Sequence, residues 1–389
     1  MVLFVGFGAT YSFTVFFESL QAEFAAQSSS VSLVFSIAIL MLFSFGAVGG
    51  LAADRFGSKP VVLSGVCIVS LGLSLAGRAA ALEEVYCYFG FGVGIGTAMI
   101  YVPAIGTVQR WFVQRRGFAT GIAVTGIGLG TLIVPLLASV LISATDWRLA
   151  FLQMGLGAGV IGVIGSLLLA SDPNMMGLSP DNAPVSGEPI KTKKAGISLR
   201  AAAVSRPFIV MYCAQITVAI GLAMPLAHLV PYGEDLGFGR ATAVLAFSVV
   251  GFGSTAGRFP LGAIADRIGR RKGLLVVFVG LVVAHLLWLA TITPWMLVLF
   301  AGLFGAMYGG FVAIIPALIA DYFDGPNITG IIGLQYTGAG IGMFLGSLLA
   351  GYAFDFFASY TMGIILACSG SLVALWLATT LPEPQLWRE

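Results

Sequence analysis

Long apolar runs separated by short polar turns extend along the whole chain. A helix needs about 20 apolar residues to cross the hydrocarbon core of a membrane. Segments of that length cover roughly residues 1–24, 31–53, 60–81, 84–109, 117–143, 148–170, 207–232, 241–265, 274–292, 295–320, 328–354 and 360–381. The first run has no cleavage site, so we expect a retained helix. The pattern predicts an all-α membrane protein with twelve transmembrane helices.

One polar segment is longer than every other. Residues 171–206 are rich in Pro, Ser, Lys and Asp and show no apolar period. This segment divides the apolar runs into two sets of six. The predicted organisation is an N-terminal six-helix bundle at 1–170, a cytoplasmic linker at 171–206 and a C-terminal six-helix bundle at 207–389.

Composition excludes several classes of protein. Apolar residues make up 58% of the chain, charged residues 9%, and the mean hydropathy is +1.00, which is far from a soluble domain. A net charge of +2, carried in short turns, argues against a nucleic-acid partner. Four scattered cysteines and two histidines predict no metal site. The glycine-rich runs contain no P-loop, so no nucleotide or other cofactor is expected.

The basic residues predict the orientation of the helices. If the N-terminus is cytoplasmic, most of the 19 Lys and Arg residues fall on the inside. These are Arg55, Lys59, Arg110, Arg115, Arg116, Lys191, Lys193, Lys194, Arg200, Arg206, Arg267, Arg270, Arg271, Lys272 and Arg388. Arg78, Arg148 and Arg240 fall outside, and Arg258 falls in no loop. Both termini are therefore predicted to be cytoplasmic.

The two halves share an internal repeat. DRFG at 54–57 recurs as DRIG at 266–269, and TGIGLG at 125–130 recurs as TGAGIG at 337–342, both 212 positions later. VPA at 102–104 recurs as IPA at 315–317, at an offset of 213. Helices 2, 4 and 5 thus correspond to helices 8, 10 and 11 in the same orientation, which predicts two six-helix bundles related by a parallel repeat.

Arg258 is the clearest candidate for a functional residue. It lies eight residues before Asp266, about 12 Å inside the eighth run at 1.5 Å per residue, and the repeat places Gly46 at its position. A charge at that depth is costly and usually functional. No acid falls at a similar depth in the predicted helices, so pairing with a buried carboxylate is the weaker alternative. A guanidinium binds carboxylates in a forked geometry, so the expected ligand is a small organic anion.

Other polar side chains inside the apolar runs could contact the same ligand. The candidates are Tyr11, Tyr101, Tyr308, Ser254, Gln335 and Tyr336. Each tyrosine taken singly is also typical of a packed core. His228 is a candidate for proton coupling because histidine titrates near neutral pH, with a structural role as the alternative. His285 is expected to be structural.

The repeated acidic–basic turns are candidates for a gate. Asp54 with Arg55, and Asp266 with Arg267, follow the cytoplasmic ends of predicted helices. An aspartate there can bind the N-terminus of a neighbouring helix and release it when the halves move. The alternative is that these charges only set topology.

These motifs resemble those of a known superfamily. GLAADRFGSK and GAIADRIGRR are similar to the signature and its echo in the major facilitator superfamily, and the resemblance covers all twelve runs. RWFVQRRGFATGIAVTG, TYSFTVFFESLQAEF and HLVPYGEDLG resemble the monocarboxylate transporters and their bacterial relatives, among them the oxalate:formate exchangers. The resemblance implies alternating access by two rocking bundles, with Arg258 binding the substrate carboxylate.

The chain departs from that family at two positions tied to proton coupling. Tyr11 stands where the animal carriers have a lysine, and Ser254 stands where they have an aspartate. The oxalate exchanger also has a lysine in helix 11, whereas residues 335–342 carry no cation. A single cation fits a monoanion such as lactate or pyruvate, with proton co-transport left open. The alternatives are an oxalate/formate-type exchanger and a drug/proton antiporter.

The expected setting follows from the same reasoning. We expect a transporter that functions as a monomer in the inner membrane of a bacterium, in contact with lipid. An enzyme would need a nucleophile and a base within reach of each other, and no such pair is evident in the sequence.

Overall fold

The computed structural model describes residues 1–182, 197–357 and 359–384. The described residues form helices and turns and contain no strand. Part of the predicted linker, with Lys191, Lys193 and Lys194, lies outside the described residues, as does Arg388. Within the described ranges, eleven helical spans are long and apolar enough to cross a membrane, and a bent helix pair brings the number to as many as twelve.

The helices begin and end close to the predicted runs. The first half contains α1 (Val2–Tyr11), α2 (Phe13–Glu23), α3 (Ser28–Ser44), α4 (Gly46–Phe56), α5 (Ser58–Ala76), α6 (Leu82–Val85), a π-helix (Tyr86–Val93), α7 (Gly94–Trp111), α8 (Arg116–Ala144) and α9 (Trp147–Leu167). The second half contains α10 (Leu199–Ala203), α11 (Arg206–Asp235), α12 (Arg240–Ile268), α13 (Arg270–Leu289), α14 (Pro294–Phe323), α15 (Ile328–Phe357) and α16 (Thr361–Thr379). Helices α3 and α4 form the bent pair, with a bend of 41°.

Packing divides the chain into two compact units. Unit 1 comprises 1–111, 123–196 and 325–334, and unit 2 comprises 112–122, 197–324 and 335–389. The first turns of α8 and α15 therefore pack in a different unit from the rest of their helices. Both segments carry backbone amides bound by the repeated aspartates, as described below.

Aromatic and glycine contacts hold the core of unit 1. Helix α5 packs on α7 and α9, and α7 packs on α1, α3 and α4. Phe16 stacks on Phe151 with ring centroids 3.7 Å apart, and Phe89 packs against Phe151 at 6.0 Å. These side chains are fully buried, so three separate segments of the chain meet at one apolar cluster.

In unit 2, the tight packing of α12 on α14 positions the charged residue. A Cβ atom at Gly257 would collide with the backbone of Ala306, and one at Gly309 would collide with the backbone of Ser254. Glycine at these positions lets the two helix backbones come into direct contact. Arg258 is thereby held against the helix that carries Tyr308.

Candidate functional site

Arg258 is buried in the middle of a continuous helix. It lies ten residues before the end of α12 and is only 4% exposed. Its Nη2 lies 3.4 Å from Ser254 Oγ, one turn earlier, so the guanidinium extends toward the start of the helix. Ser254 is buried as well, at 5% exposure. The pair forms a buried polar site within α12.

Tyr308 is a third polar residue in this part of unit 2. It lies on α14, next to Gly309, which packs directly on the backbone of Ser254. The Tyr308 ring stacks on Phe304 with centroids 6.3 Å apart, which orients the phenol. The structure thus places Ser254 beside Arg258, and Tyr308 on the helix that packs against both.

Tyr11 and Tyr101 belong to unit 1 and share one neighbour. Phe7 lies between them, 6.4 Å from the Tyr11 ring in a stacked arrangement and 5.0 Å from the Tyr101 ring in an edge arrangement. Tyr101 is 7% exposed, whereas Tyr11 is 37% exposed. Tyr11 therefore presents the more accessible phenol of the pair.

Gln335 and Tyr336 are buried on α15. Gln335 is fully buried, and its Nε2 donates to the carbonyl oxygen of Phe208 at 2.9 Å. One residue further on, Tyr336 is 4% exposed. The amide of Gln335 therefore ties α15 to the start of α11.

His228 lies on the last two turns of α11. Its ring is half-buried and lies 5.8 Å from the ring of Tyr360. Burial raises the pKa of Tyr360, and the nearby Asp235 carboxylate raises it further. The neighbour of His228 is therefore a neutral phenol at physiological pH.

Asp54 binds the first turn of α15. Its Oδ1 accepts from the Thr329 amide at 3.2 Å and its Oδ2 from the Gly330 amide at 2.6 Å. The Arg110 guanidinium donates to Asp54 Oδ1 at 2.5 Å and to Thr329 Oγ1 at 3.1 Å. We call Asp54, Arg110, Thr329 and Gly330 the Asp54 clamp. A carboxylate at a helix N-terminus is favoured by the helix dipole.

Asp266 makes the matching contacts with the first turn of α8. Its two oxygens accept from the Gly117 amide at 3.0 Å and the Phe118 amide at 2.9 Å. Arg270 Nε donates to Asp266 at 2.9 Å. We call Asp266, Gly117, Phe118 and Arg270 the Asp266 clamp. The repeated motif therefore has the same local geometry in both copies.

Further charges support the Asp266 clamp. Arg270 also donates to Asp321 at 2.5 Å, and Arg116 donates to Asp321 and Asp324, each at 3.2 Å. A cavity of about 430 Å³ opens beside these residues, lined by charged side chains that include Glu383. The Asp266 clamp is therefore more extensively paired than the Asp54 clamp.

The last residue of both DRxG motifs is a glycine, and the backbone conformation there requires it. Gly57 and Gly269 have φ of 86° and 97°, and each precedes the next helix. Only glycine adopts such angles without strain. The last residue of each DRxG motif is thus required for the reversal that follows the clamp aspartate.

The arginines that contact the clamp aspartates are not the ones that follow those aspartates directly in the sequence. Arg55 is exposed and lies over the Phe56 ring at 5.2 Å, and Arg267 is exposed as well. The arginines in contact with the aspartates are Arg110 and Arg270. Arg270 follows Asp266 by four residues, across the reversal at Gly269, and that spacing is visible in the sequence. Arg110 is 56 residues from Asp54, so no local pattern indicated it.

Comparison with known proteins decides the family. The sequence profile described as Major Facilitator Superfamily matches residues 1–239 and 208–389. The chain belongs to this superfamily. It is a multi-pass membrane protein of a transporter family and not an enzyme. Among the described residues, no cluster of three His, Cys, Asp or Glu side chains could hold a metal ion.

Similar curated proteins are named as transporters. Monocarboxylate transporter 13 of Bos taurus is 28% identical, over 97% of this chain and 86% of that protein. Monocarboxylate transporter 2 of Homo sapiens is 27% identical, over 96% and 83%. Both proteins are named for the transport of monocarboxylates.

Solved structures of the superfamily share the fold. The transporter FucP in the outward conformation aligns with a TM-score of 0.72 at 14% identity, over 97% of this chain and 96% of that one. The human organic anion transporter MFSD10 aligns at 0.73, again with 14% identity, over 97% and 98%. At such identities the likeness establishes the architecture alone.

Proposed function

We propose that this major facilitator transports small monocarboxylates of the lactate or pyruvate type, with the Arg258 guanidinium binding the substrate carboxylate. The observation that carries the proposal is a cation, 4% exposed, in the middle of the membrane-spanning helix α12. A charged side chain at that depth is expensive and usually marks a substrate or ion path. The names of the similar monocarboxylate transporters support the same class.

The chemistry of the site favours an anion with one carboxylate. A guanidinium stays charged at physiological pH and offers parallel N–H donors to both carboxylate oxygens. Ser254 adds a hydroxyl group beside it, and Tyr308 lies on the helix that packs against α12. A second buried carboxylate would need a second cation. Tyr11, Tyr101, Gln335 and Tyr336 are proposed as further contacts in the course of transport.

We assign gating to the two clamps. In each clamp, an aspartate carboxylate binds the backbone amides of a helix N-terminus. The clamps lie at helix ends, so breaking these bonds would not leave an unpaired carboxylate in the middle of the membrane. Alternating access would then require Asp54 to release Thr329 and Gly330, or Asp266 to release Gly117 and Phe118. Arg110 and Arg270 are the cations that remain with the aspartates.

The proposal also covers proton coupling and the location of the protein in the cell. His228 is the candidate for proton coupling, because Tyr11 and Ser254 occupy the positions of the titrating residues in the similar family. The proposed location is the inner membrane of a bacterium, with both termini in the cytoplasm and a functional monomer. An oxalate/formate-type exchanger is the second candidate, and a drug/proton antiporter is disfavoured because that chemistry usually needs an acid at mid-depth.

Uptake by proteoliposomes tests the proposal. Labelled lactate, pyruvate, formate and oxalate are offered with and without a pH gradient to the wild type and to Arg258→Ala. We expect uptake of the first two to fall about 100-fold, the effect of losing one buried, hydrogen-bonded charge pair. Arg200→Ala removes an exposed arginine of α10 and is the matched control. Monocarboxylate uptake that survives Arg258→Ala contradicts the anchor, and oxalate uptake by exchange alone favours the second candidate.

A further inference from the structure

A proline interrupts the hydrogen bonding of α11 at a defined carbonyl group. Pro225 lies inside the helix and has no amide hydrogen. In an uninterrupted α-helix, residue 225 would donate to the carbonyl oxygen of Gly221. The interruption therefore removes the usual partner of one buried carbonyl group inside the helix Arg206–Asp235.

A histidine from another helix reaches that carbonyl group. His285 of α13 is fully buried, and its Nε2 lies 3.2 Å from the Gly221 oxygen. A carbonyl oxygen only accepts, so the contact is a hydrogen bond when Nε2 carries the proton. The other ring nitrogen, Nδ1, lies 2.8 Å from the Leu281 oxygen and 3.3 Å from Ser371 Oγ.

The carbonyl groups of Leu281 and Gly221 differ in whether a backbone amide already donates to them. In α13, the Leu281 oxygen receives the backbone amide of His285 itself. The Gly221 oxygen has lost its helical donor to Pro225. The neutral ring has one proton to donate. On Nδ1 it would add a second bond to the Leu281 oxygen at 2.8 Å; on Nε2 it satisfies the Gly221 oxygen, which lacks a helical donor, while Nδ1 accepts from the Ser371 hydroxyl group.

The surrounding packing holds the ring in place. Gly221 lies so close to α16 that a Cβ atom there would come within 2.7 Å of the Ala367 oxygen. The His285 ring packs against Phe304 of α14 at 5.8 Å. Helices α11, α13, α14 and α16 thus meet around this single hydrogen bond.

A second contact joins the same two helices beyond the proline. Tyr232 on α11 donates its hydroxyl group to the Trp288 oxygen near the end of α13, at 3.3 Å. The part of α11 after Pro225 also carries His228. Its direction is therefore fixed on α13 by one bond at the interruption and another two turns later.

We propose that His285 is a positioning residue that replaces the backbone hydrogen bond lost at Pro225. It holds α11 on α13 at the interruption, and so places the turns that carry His228 and Tyr232. The role was not evident in the sequence, where His285 was expected to be structural without a named partner. The part of the proposal that concerns transport rates rests on the proposed function, and the structural part does not.

The proposal is tested by combining a substitution at His285 with a compensating substitution at Pro225. His285→Leu removes the donor, and Pro225→Ala returns an amide that can donate to the Gly221 oxygen. We expect amide hydrogen exchange in residues 218–226 to rise about tenfold in His285→Leu, the change produced by one typical buried hydrogen bond. Exchange should return close to the wild-type rate in the double variant. Pro231→Ala, in the same helix, is the matched control and should not restore it.

Uptake in liposomes supplies the second measurement. We expect His285→Leu to lower the maximal rate of Arg258-dependent uptake with little change in KM, and Pro225→Ala to restore that rate. If His285→Leu does not accumulate as folded protein, recovery of the folded yield by Pro225→Ala, and not by Pro231→Ala, is the supporting result. Equal recovery by both prolines, or recovery by neither, overturns the proposal. The exchange measurement needs no substrate, so it stands even if monocarboxylate transport is refuted.

Discussion

The Asp266 clamp yields a quantitative prediction for Asp266→Asn. The carboxylate accepts from the Gly117 and Phe118 amides and from Arg270, all within 3.0 Å. Its side chain is only 8% exposed, so solvent screens these bonds little. Asparagine keeps one acceptor oxygen and turns an NH₂ group toward the other amide, and it has no charge for the arginine or the helix dipole.

The expected loss follows from the bonds that disappear. A hydrogen bond to a charged group contributes about 1.5–3 kcal/mol, and at least one such bond is lost along with the weakening of the others. A loss of about 3 kcal/mol corresponds to a roughly 100-fold increase in the open fraction of the clamp. The first turn of α8 should therefore open far more often in the variant.

Amide hydrogen exchange measures this opening directly. In nanodiscs, exchange in residues 112–122 should accelerate in Asp266→Asn, while residues 325–334, held by the Asp54 clamp, should keep their wild-type rate. Arg267→Gln is the control, because it removes an exposed neighbouring charge that makes none of these bonds. Unchanged protection of Gly117 and Phe118 in Asp266→Asn would refute the clamp as a source of local stability.

Three further predictions concern other contacts. Arg110→Gln should accelerate exchange in residues 325–334 less than Asp54→Asn does, because the carboxylate keeps both amide bonds when the arginine is lost. Gly257→Leu should lower the free energy of unfolding by about 1–3 kcal/mol, because the side chain would overpack against α14. Gly251→Leu is the control: its side chain would point into open space on the same helix, so the melting temperature should stay nearly unchanged. Tyr232→Phe should lower the melting temperature by about 2 °C through loss of the bond to the Trp288 oxygen, and an unaltered melting curve would contradict that bond.

The length and number of apolar runs were sufficient to predict the helical membrane architecture. Runs of about 20 apolar residues have one stable form in a bilayer, because a helix satisfies its own backbone hydrogen bonds. The predicted runs therefore coincide with described helices, with a bend between α3 and α4 that run length could not show. The DRxG repeat likewise indicated equivalent turns, and its glycines have the positive φ that such turns need.

Partners distant in the chain depended on the tertiary structure. The sequence singled out Arg258 by its charge within an apolar run, and Asp54 and Asp266 by their repeated motif. It grouped Arg55 and Arg267 with these aspartates as gate candidates, whereas folding brings Arg110 to Asp54 and Arg270 to Asp266. It also could not pair His285 with the carbonyl group that Pro225 leaves without a helical donor. The burial of an apolar run and the backbone angles of a turn are determined by neighbouring residues, so the sequence predicts them. A hydrogen bond between two helices depends on which helix faces come within bonding distance. Those faces are determined only when the helices pack together.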